Sequence, residues 1–233
     1  MKPDNNEAQP ATLQSPYISF PEVRAKIPWS LPVEITLIGT LGKGEGDAFI
    51  QNAAKRQKAH PTFVDEYHEE SAKIGNTNLS KEDVTAVYSF FVGKKDLVFH
   101  RHAGHRVIMG ITGSAGAYLK FSSCTAKQAH ETPEKFLEKI FVVFVPGDSV
   151  FVLRFSGEVY HQFGPGDTSK NGFFAISVHT NEIQGLSGEL LAAVIAGNGS
   201  IPLLTEPIPP QVAELLEISG IPKNVRIFTT MAF

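Results

Sequence analysis

Eight short runs rich in valine, isoleucine, phenylalanine and threonine follow one another in this chain, separated by turns that contain glycine. The runs are residues 84–92, 97–102, 106–112, 117–122, 141–145, 149–155, 159–163 and 172–179. Runs of this composition, spaced by roughly 8–12 residues, are typical of a β-sandwich or a β-barrel. The sequence therefore predicts a mainly β domain.

Segments with helical character lie at both ends of this series. Asp47 can cap a helix over residues 47–74, which Pro61 interrupts, and Thr132 followed by Pro133 begins a short helix that runs to residue 140. Periodicity and capping predict further helices over residues 187–196 and 211–218. The prolines between these two helices, at positions 202, 207, 209 and 210, indicate an extended linker.

The polar residues 1–16 are expected to form a flexible tail, and residues 17–233 a single domain with a barrel core at about 84–182. Residues 33–38 form a further apolar, strand-like run. No apolar run reaches the ~18–20 residues that a membrane span requires, and no signal-peptide pattern is present. We therefore expect a cytoplasmic protein with no membrane partner.

Charge and cysteine content exclude two further classes. The net charge of -3 and the pI near 6.2 leave no basic footprint for nucleic acid, so no nucleic-acid partner is expected. Cys124 is the only cysteine, which rules out an intramolecular disulfide and fits a reducing compartment.

Six of the eight histidines lie between positions 100 and 179. Side chains alternate along a strand, so His100 and His102 share one face, where two imidazoles can reach the same metal ion. The alternative is a pair of surface histidines on an edge strand. His161 lies in a later run of the same β-rich region.

The order of these features resembles that of the cupin superfamily over roughly residues 90–180. A His-X-His strand (His100, His102) is followed by a further strand and a glycine, Gly113, and later by a Gly-Asp turn, a strand and one more histidine, His161. The resemblance implies a double-stranded β-helix, or jelly roll, with these three histidines pointing into the barrel as metal ligands.

The chain departs from the cupin pattern at two places. The first-motif glutamate falls at or beside Arg106, where no carboxylate stands. In the second motif the family's proline and glycine are shifted or replaced by Ser156 and Glu158, and its asparagine after the last histidine is absent. The implied ligand set is therefore three histidines, or these with His105 as a fourth. Such a set leaves positions open on a divalent transition metal (Fe, Zn, Ni or Mn), as catalytic sites do.

Three other residues are candidates for a role in catalysis. Arg154 either binds a substrate carboxylate or is an exposed edge residue, and Tyr118 either hydrogen-bonds substrate or fills the core. His179, with Glu182, is either an acid–base or ligand-orienting pair or the cap of a turn.

The resemblance implies a metal-dependent dioxygenase that acts on a small organic molecule. Two alternatives remain: a non-catalytic module that binds a metal or a ligand, and a metal-free barrel of the sugar-epimerase type, in which histidines act as acid–base groups. A homodimer formed through an outer sheet is also implied by the family and not by any residue pattern.

Overall fold

The fold is described from a computed structural model, for residues 22–25, 33–66, 69–75, 85–197, 201–221 and 226–229. The strands are β1 Glu22–Ala25, β2 Val33–Thr40, β3 Phe63–Glu66, β4 Glu69–Lys73, β5 Thr85–Val92, β6 His100–Arg101, β7 His105–Thr112, β8 Ala117–Ser122, β9 Ile140–Val145, β10 Ser149–Ser156, β11 Tyr160–Pro165, β12 Phe173–Thr180, β13 Glu206–Pro207 and β14 Arg226–Thr229. The helices are α1 Glu45–Lys58, α2 Ala126–Glu131, α3 Glu134–Glu138, α4 Gly188–Ala196, α5 Ile201–Leu204 and α6 Pro210–Ser219. The predicted tail, residues 1–16, lies outside these ranges.

Two mainly antiparallel sheets face each other. Their strand orders are β1-β2-β10-β7-β12-β5-β4-β3 and β13-β6-β11-β8-β9-β14. The eight strands predicted from sequence are β5 to β12; numbered from one to eight, they lie in the orders 6-3-8-1 and 2-7-4-5. This is the order of an eight-stranded jelly roll, the architecture of cupins, so the predicted fold class is confirmed.

A hydrophobic core fills the space between the sheets. It is built from the inward-facing residues of both sheets, among them Leu119, Phe121, Phe151, Leu153 and Phe173. Phe151 pairs with Gly110 across β10 and β7, and a Cβ atom on Gly110 would lie 2.5 Å from the Phe151 ring. Glycine is therefore needed at position 110 to leave room for the largest side chains of the core.

Helices cover the outer face of the smaller sheet. Phe99, Phe136, Tyr160 and Val212 form a second buried cluster there, which also contains Cys124. Helix α2, which the sequence analysis did not predict, begins with a capping box between Thr125 and Gln128. In the described part of the chain, no helix combines the length and the apolar character that crossing a bilayer requires.

The helix predicted over residues 47–74 is wrong in its second half. Helix α1 ends at Lys58, and β3 and β4 form an antiparallel hairpin whose second strand pairs with β5. Pro61 has no N–H to continue a helix, and the Phe63-Val64 pair that follows favours a strand. The hairpin extends the larger sheet beyond β5.

The linker predicted around the late prolines is also more structured than expected. It contains the short helix α5 and the edge strand β13, which pairs with β6 through Glu206 and Arg101 and through Pro207 and His100. An edge strand tolerates Pro207 because it needs no N–H donor on its open side. The C-terminal part of the chain thereby lies directly against the His-X-His strand.

Candidate metal centre

Three histidines meet on the inner wall of the barrel. His100 of β6 and His161 of β11 are directly opposite each other across the antiparallel pair, and their ring centroids are 4.4 Å apart. The ring of His102 lies 4.8 Å from that of His100 and 5.3 Å from that of His161. One ring nitrogen from each of the three lies within 4.8 Å of the other two. The fold therefore brings together the three histidines that the cupin resemblance singles out.

Backbone carbonyls orient all three rings in the same way. Each Nδ1 atom is in hydrogen-bonding contact with a carbonyl oxygen: His100 with Val98 at 2.6 Å, His161 with Val159 at 2.8 Å, and His102 with Leu204 at 3.1 Å. A carbonyl oxygen only accepts hydrogen bonds, so each Nδ1 must carry the hydrogen, and the lone pair of each neutral ring lies on Nε2. A histidine that binds a metal through one ring nitrogen commonly donates the hydrogen of the other nitrogen in this way.

Burial favours the neutral form of His102 and His161. His100 and His161 are 1% and 3% exposed. Burial lowers the pKa of His102 well below its ordinary value, and the charge of Arg106 lowers it further. Burial also lowers the pKa of His161 well below its ordinary value, and the neighbouring His100 lowers it further. Neutral imidazoles near pH 7 are the form that binds metal ions.

The donor set fits a first-row transition metal. Bond lengths of about 2.1 Å allow two nitrogens on one ion to be about 3.0–4.2 Å apart, so a small rotation of the rings would bring all three within reach. Three imidazoles suit iron, zinc or nickel and leave further positions open. Cys124 lies in the cluster on the outer face of the sheet and does not belong to this group.

A buried polar network lies beside the histidines. Glu182, which is 1% exposed, accepts hydrogen bonds from His179 Nδ1 at 2.6 Å and from the Tyr88 hydroxyl at 3.2 Å. The Arg106 guanidinium lies 3.6 Å from the same carboxylate. The His179 ring centroid is 6.5 Å from that of His102, so the network borders the three-histidine group.

Charges in this network are balanced. Burial acts to raise the pKa of Glu182, but the hydrogen bond from His179 and the charge of Arg106 outweigh it and hold this pKa below its usual value. Burial, with Arg106 adding to it, lowers the pKa of His179 to about 4. Burial also raises the pKa of Tyr88, which keeps the phenol protonated. At neutral pH the network therefore holds an ion pair, Glu182 with Arg106, and a neutral imidazole.

The other candidates from the sequence lie farther from this group. Tyr118 belongs to the outer-face cluster, with its ring centroid 5.1 Å from that of Phe144. The Arg154 side chain is 64% exposed and lies 3.5 Å from Glu34. His105 is not part of the three-histidine group and lines a shallow hollow of about 210 Å³ together with Arg154.

Two residues at the site escaped the sequence analysis. Glu69 of β4 places its Oε2 atom 3.7 Å from Nε2 of His100, and Tyr88 of β5 contacts Glu182. Glu69 was assigned to a helix, so its position beside the barrel could not be inferred. Tyr88 lies two residues from each of the buried residues Ala86 and Phe90, so the three share one face of β5. This spacing could have placed Tyr88 inside the barrel.

The metal-free protein is expected to lose stability between pH 6.5 and pH 4.5. The pKa of His179 is about 4, while that of an unfolded histidine is near 6.5, so below pH 6.5 the unfolded state binds more protons than the folded state. Each fully shifted histidine then costs about 1.4 kcal/mol per pH unit, and His102 and His161 act in the same direction. Urea unfolding in the presence of a chelator at a series of pH values measures this, with the exposed His130→Ala as a control that keeps the slope. A free energy of unfolding that stays constant over this range would contradict the prediction.

The known proteins that resemble this chain do so in their three-dimensional structures. No protein-family model and no curated protein matches the chain. Among solved structures, a cupin-like protein from Thermotoga maritima is 13% identical, with 51% of this chain and 72% of that chain covered and a TM-score of 0.32. A cupin-2 domain protein from Rhodospirillum rubrum is 14% identical, with 88% and 99% covered and a TM-score of 0.32. An epimerase solved with Fe3+, α-ketoglutarate and nogalamycin RO is 11% identical, with 85% and 91% covered and a TM-score of 0.39. The assignment of the jelly-roll fold rests on the strand order of the chain itself.

Proposed function

We propose that the protein binds a divalent transition metal ion (Fe, Zn, Ni or Mn) through His100, His102 and His161 and acts as a metal-dependent dioxygenase on a small organic molecule. The observation that carries this proposal is the common orientation of the three rings. Each donates its Nδ1 hydrogen to a backbone carbonyl, and one nitrogen from each lies within 4.8 Å of the others. Three imidazoles held in this way, inside a barrel, are prepared for a cation.

Iron at this position would supply open coordination sites and redox chemistry towards O2. The residues around it have roles of their own. Phe155 and Phe163 pack against His161, with ring centroids at 4.7 and 5.3 Å, and keep water from that side. His179, backed by Glu182, presents a neutral ring whose Nε2 can accept a hydrogen bond from a substrate.

The test is metal analysis followed by oxygen uptake. We expect the purified protein, once its metal has been removed with a chelator and added back, to retain one ion per chain, as measured by elemental mass spectrometry. We expect the iron-loaded form to consume O2 with one class in a panel of thiols, diketones and phenols. Metal retention without any uptake would instead favour a non-catalytic binding module. A protein that retains and rebinds no metal would favour a metal-free barrel in which the histidines act as acid–base groups.

A further inference from the structure

We infer that a groove between helix α1 and the outer face of the larger sheet is a second binding site, for a small organic anion with an aromatic body. The volume of the groove is about 580 Å³, which is within the range of small-molecule sites. Its lining includes no member of the three-histidine group and no member of the Glu182 network. The inference is therefore independent of the metal centre and of the proposed function.

Strand alternation separates this groove from the interior of the barrel. Phe174 and Ile176 of β12 line the groove, whereas Ala175 between them belongs to the core between the sheets. On β5, Ser89 lines the groove and the adjacent Phe90 belongs to the core. The groove and the barrel interior are consequently on opposite sides of the larger sheet.

The groove offers an apolar surface to a ligand. Its helical wall consists of residues at positions i, i+3, i+4, i+7 and i+8 of α1: Phe49, Asn52, Ala53, Arg56 and Gln57. Phe49 and Ile74 line the groove and are each 43% exposed. The Phe49 ring meets that of Phe174 edge to face, with centroids 6.2 Å apart. An aromatic ligand would cover these side chains, and the burial of apolar surface would favour its binding.

Gln57 brings an unsatisfied polar atom to the same groove. Its side chain is 4% exposed, and Nε2 donates a hydrogen bond to Ser89 Oγ at 3.1 Å. Oε1 has no hydrogen-bond partner among the residues that the structure describes. Buried polar atoms are nearly always paired, because an unpaired one costs free energy. A ligand with an N–H or O–H group that reaches Oε1 would remove this cost.

The charge of the lining favours an anion. No aspartate or glutamate lines the groove, whereas Arg56 does. Arg56 is exposed and has no ion-pair partner in the described part of the chain. The carboxylate of Glu70, on the neighbouring strand β4, lies 3.0 Å from Lys58 and is thereby engaged. A guanidinium binds a carboxylate through two parallel hydrogen bonds, so Arg56 would select a ligand that carries one.

The test is a nitrogen NMR titration of the full chain at pH 7.5 with two phenolic carboxylates, 6-hydroxy-2-naphthoate and phloretate. It is run on the protein as purified and again with a chelator, because carboxylates also bind metal ions. We expect saturable shifts of the side-chain amide signals of Asn52 and Gln57, equal under both conditions. The methyl esters of the two probes lack the charge and should bind about three- to tenfold more weakly.

Three variants locate the site. Arg56→Gln should weaken binding of the carboxylates by about three- to tenfold and leave binding of the esters unchanged. The matched control Lys55→Gln removes an exposed positive charge one residue away and should stay within about twofold of the wild type. Asn52→Trp fills the groove from an exposed position and should abolish the shift of the Gln57 amide. Circular dichroism of each variant establishes that it is folded.

The other outcomes would overturn the inference. With neither probe shifting Gln57, or with shifts confined to residues inside the barrel, the groove would not be the site. Equal affinities for the acids and their esters would rule out an anionic ligand. Sedimentation velocity tests a different occupant, since a wild-type dimer that Asn52→Trp dissociates would assign the groove to a second copy of the chain. Metal analysis bears on the proposed function alone.

Discussion

Replacement of Glu182 by alanine is expected to lower the free energy of unfolding by about 3–5 kcal/mol. The carboxylate is 1% exposed and is the partner of Arg106, which is 3% exposed. In the described part of the chain, Arg106 also donates hydrogen bonds to the carbonyls of Ala103 and His105, which do not neutralise its charge, and Glu69 acts on it electrostatically, more weakly than Glu182 does. The variant would therefore leave a buried guanidinium without its ion-pair partner, and His179 and Tyr88 would lose their acceptor as well.

Urea unfolding of the metal-free protein at pH 7.5 measures this effect. The matched control is Glu158→Ala, which removes an exposed carboxylate from a turn and should change stability by less than about 0.5 kcal/mol. The double variant Arg106→Met with Glu182→Leu removes both charges and should recover much of the loss, because paired removal of a buried ion pair is often nearly neutral. A Glu182→Ala protein as stable as Glu158→Ala would show that the ion pair contributes nothing to the fold.

The jelly roll could be predicted because its signal is local. Apart from the two-residue β6, each of the strands β5 to β12 lies in a short run rich in β-branched and aromatic residues, and a two-residue period fixes which side chains face inward. The same period predicts that His100 and His102 share a face. The presence of His161 across from His100 needs the strand order as well, which only the resemblance to cupins implied.

The rest of the site depends on contacts between distant parts of the chain. Leu204 holds His102 through its carbonyl, and 102 positions separate the two residues. Glu69 reaches His100 from a hairpin that was predicted as a helix, because Ala48 to Lys58 is a strong helix former and the prediction extended the helix past the interruption at Pro61. Tertiary pairing with β5 decides the structure of this segment.

Arg106 shows how a departure from a motif can be compensated. Sequence alone records that an arginine stands where the resemblance expects a glutamate. The structure pairs this arginine with Glu182, which follows strand β12, opposite β7 in the same sheet. A motif read along the chain misses this pairing, because the partner of Arg106 lies 76 positions later, after β12.

Replacement of His161 by alanine is expected to weaken Zn2+ and Co2+ binding by more than 100-fold, and His100→Ala by a similar factor. Each imidazole would contribute a direct bond to the ion, and loss of even an outer hydrogen-bonding partner of a metal ligand commonly costs 10- to 100-fold. His100 and His161 are on different strands and pair across β6 and β11, so neither histidine can take the place of the other. Calorimetric titration of the stripped proteins measures the change.

Two further histidines make the result specific. His130 is an exposed imidazole on α2, outside the barrel. His130→Ala should therefore bind both ions as the wild type does. His105→Ala decides whether the fourth histidine of the sequence pattern takes part: we expect little change, because His105 lies outside the three-histidine group. Circular dichroism of each stripped variant must match the wild type, since a misfolded barrel would also lose the metal. With folding established, wild-type affinity in His161→Ala would exclude this group as the metal centre, because an ion held by the remaining two imidazoles alone would bind far more weakly.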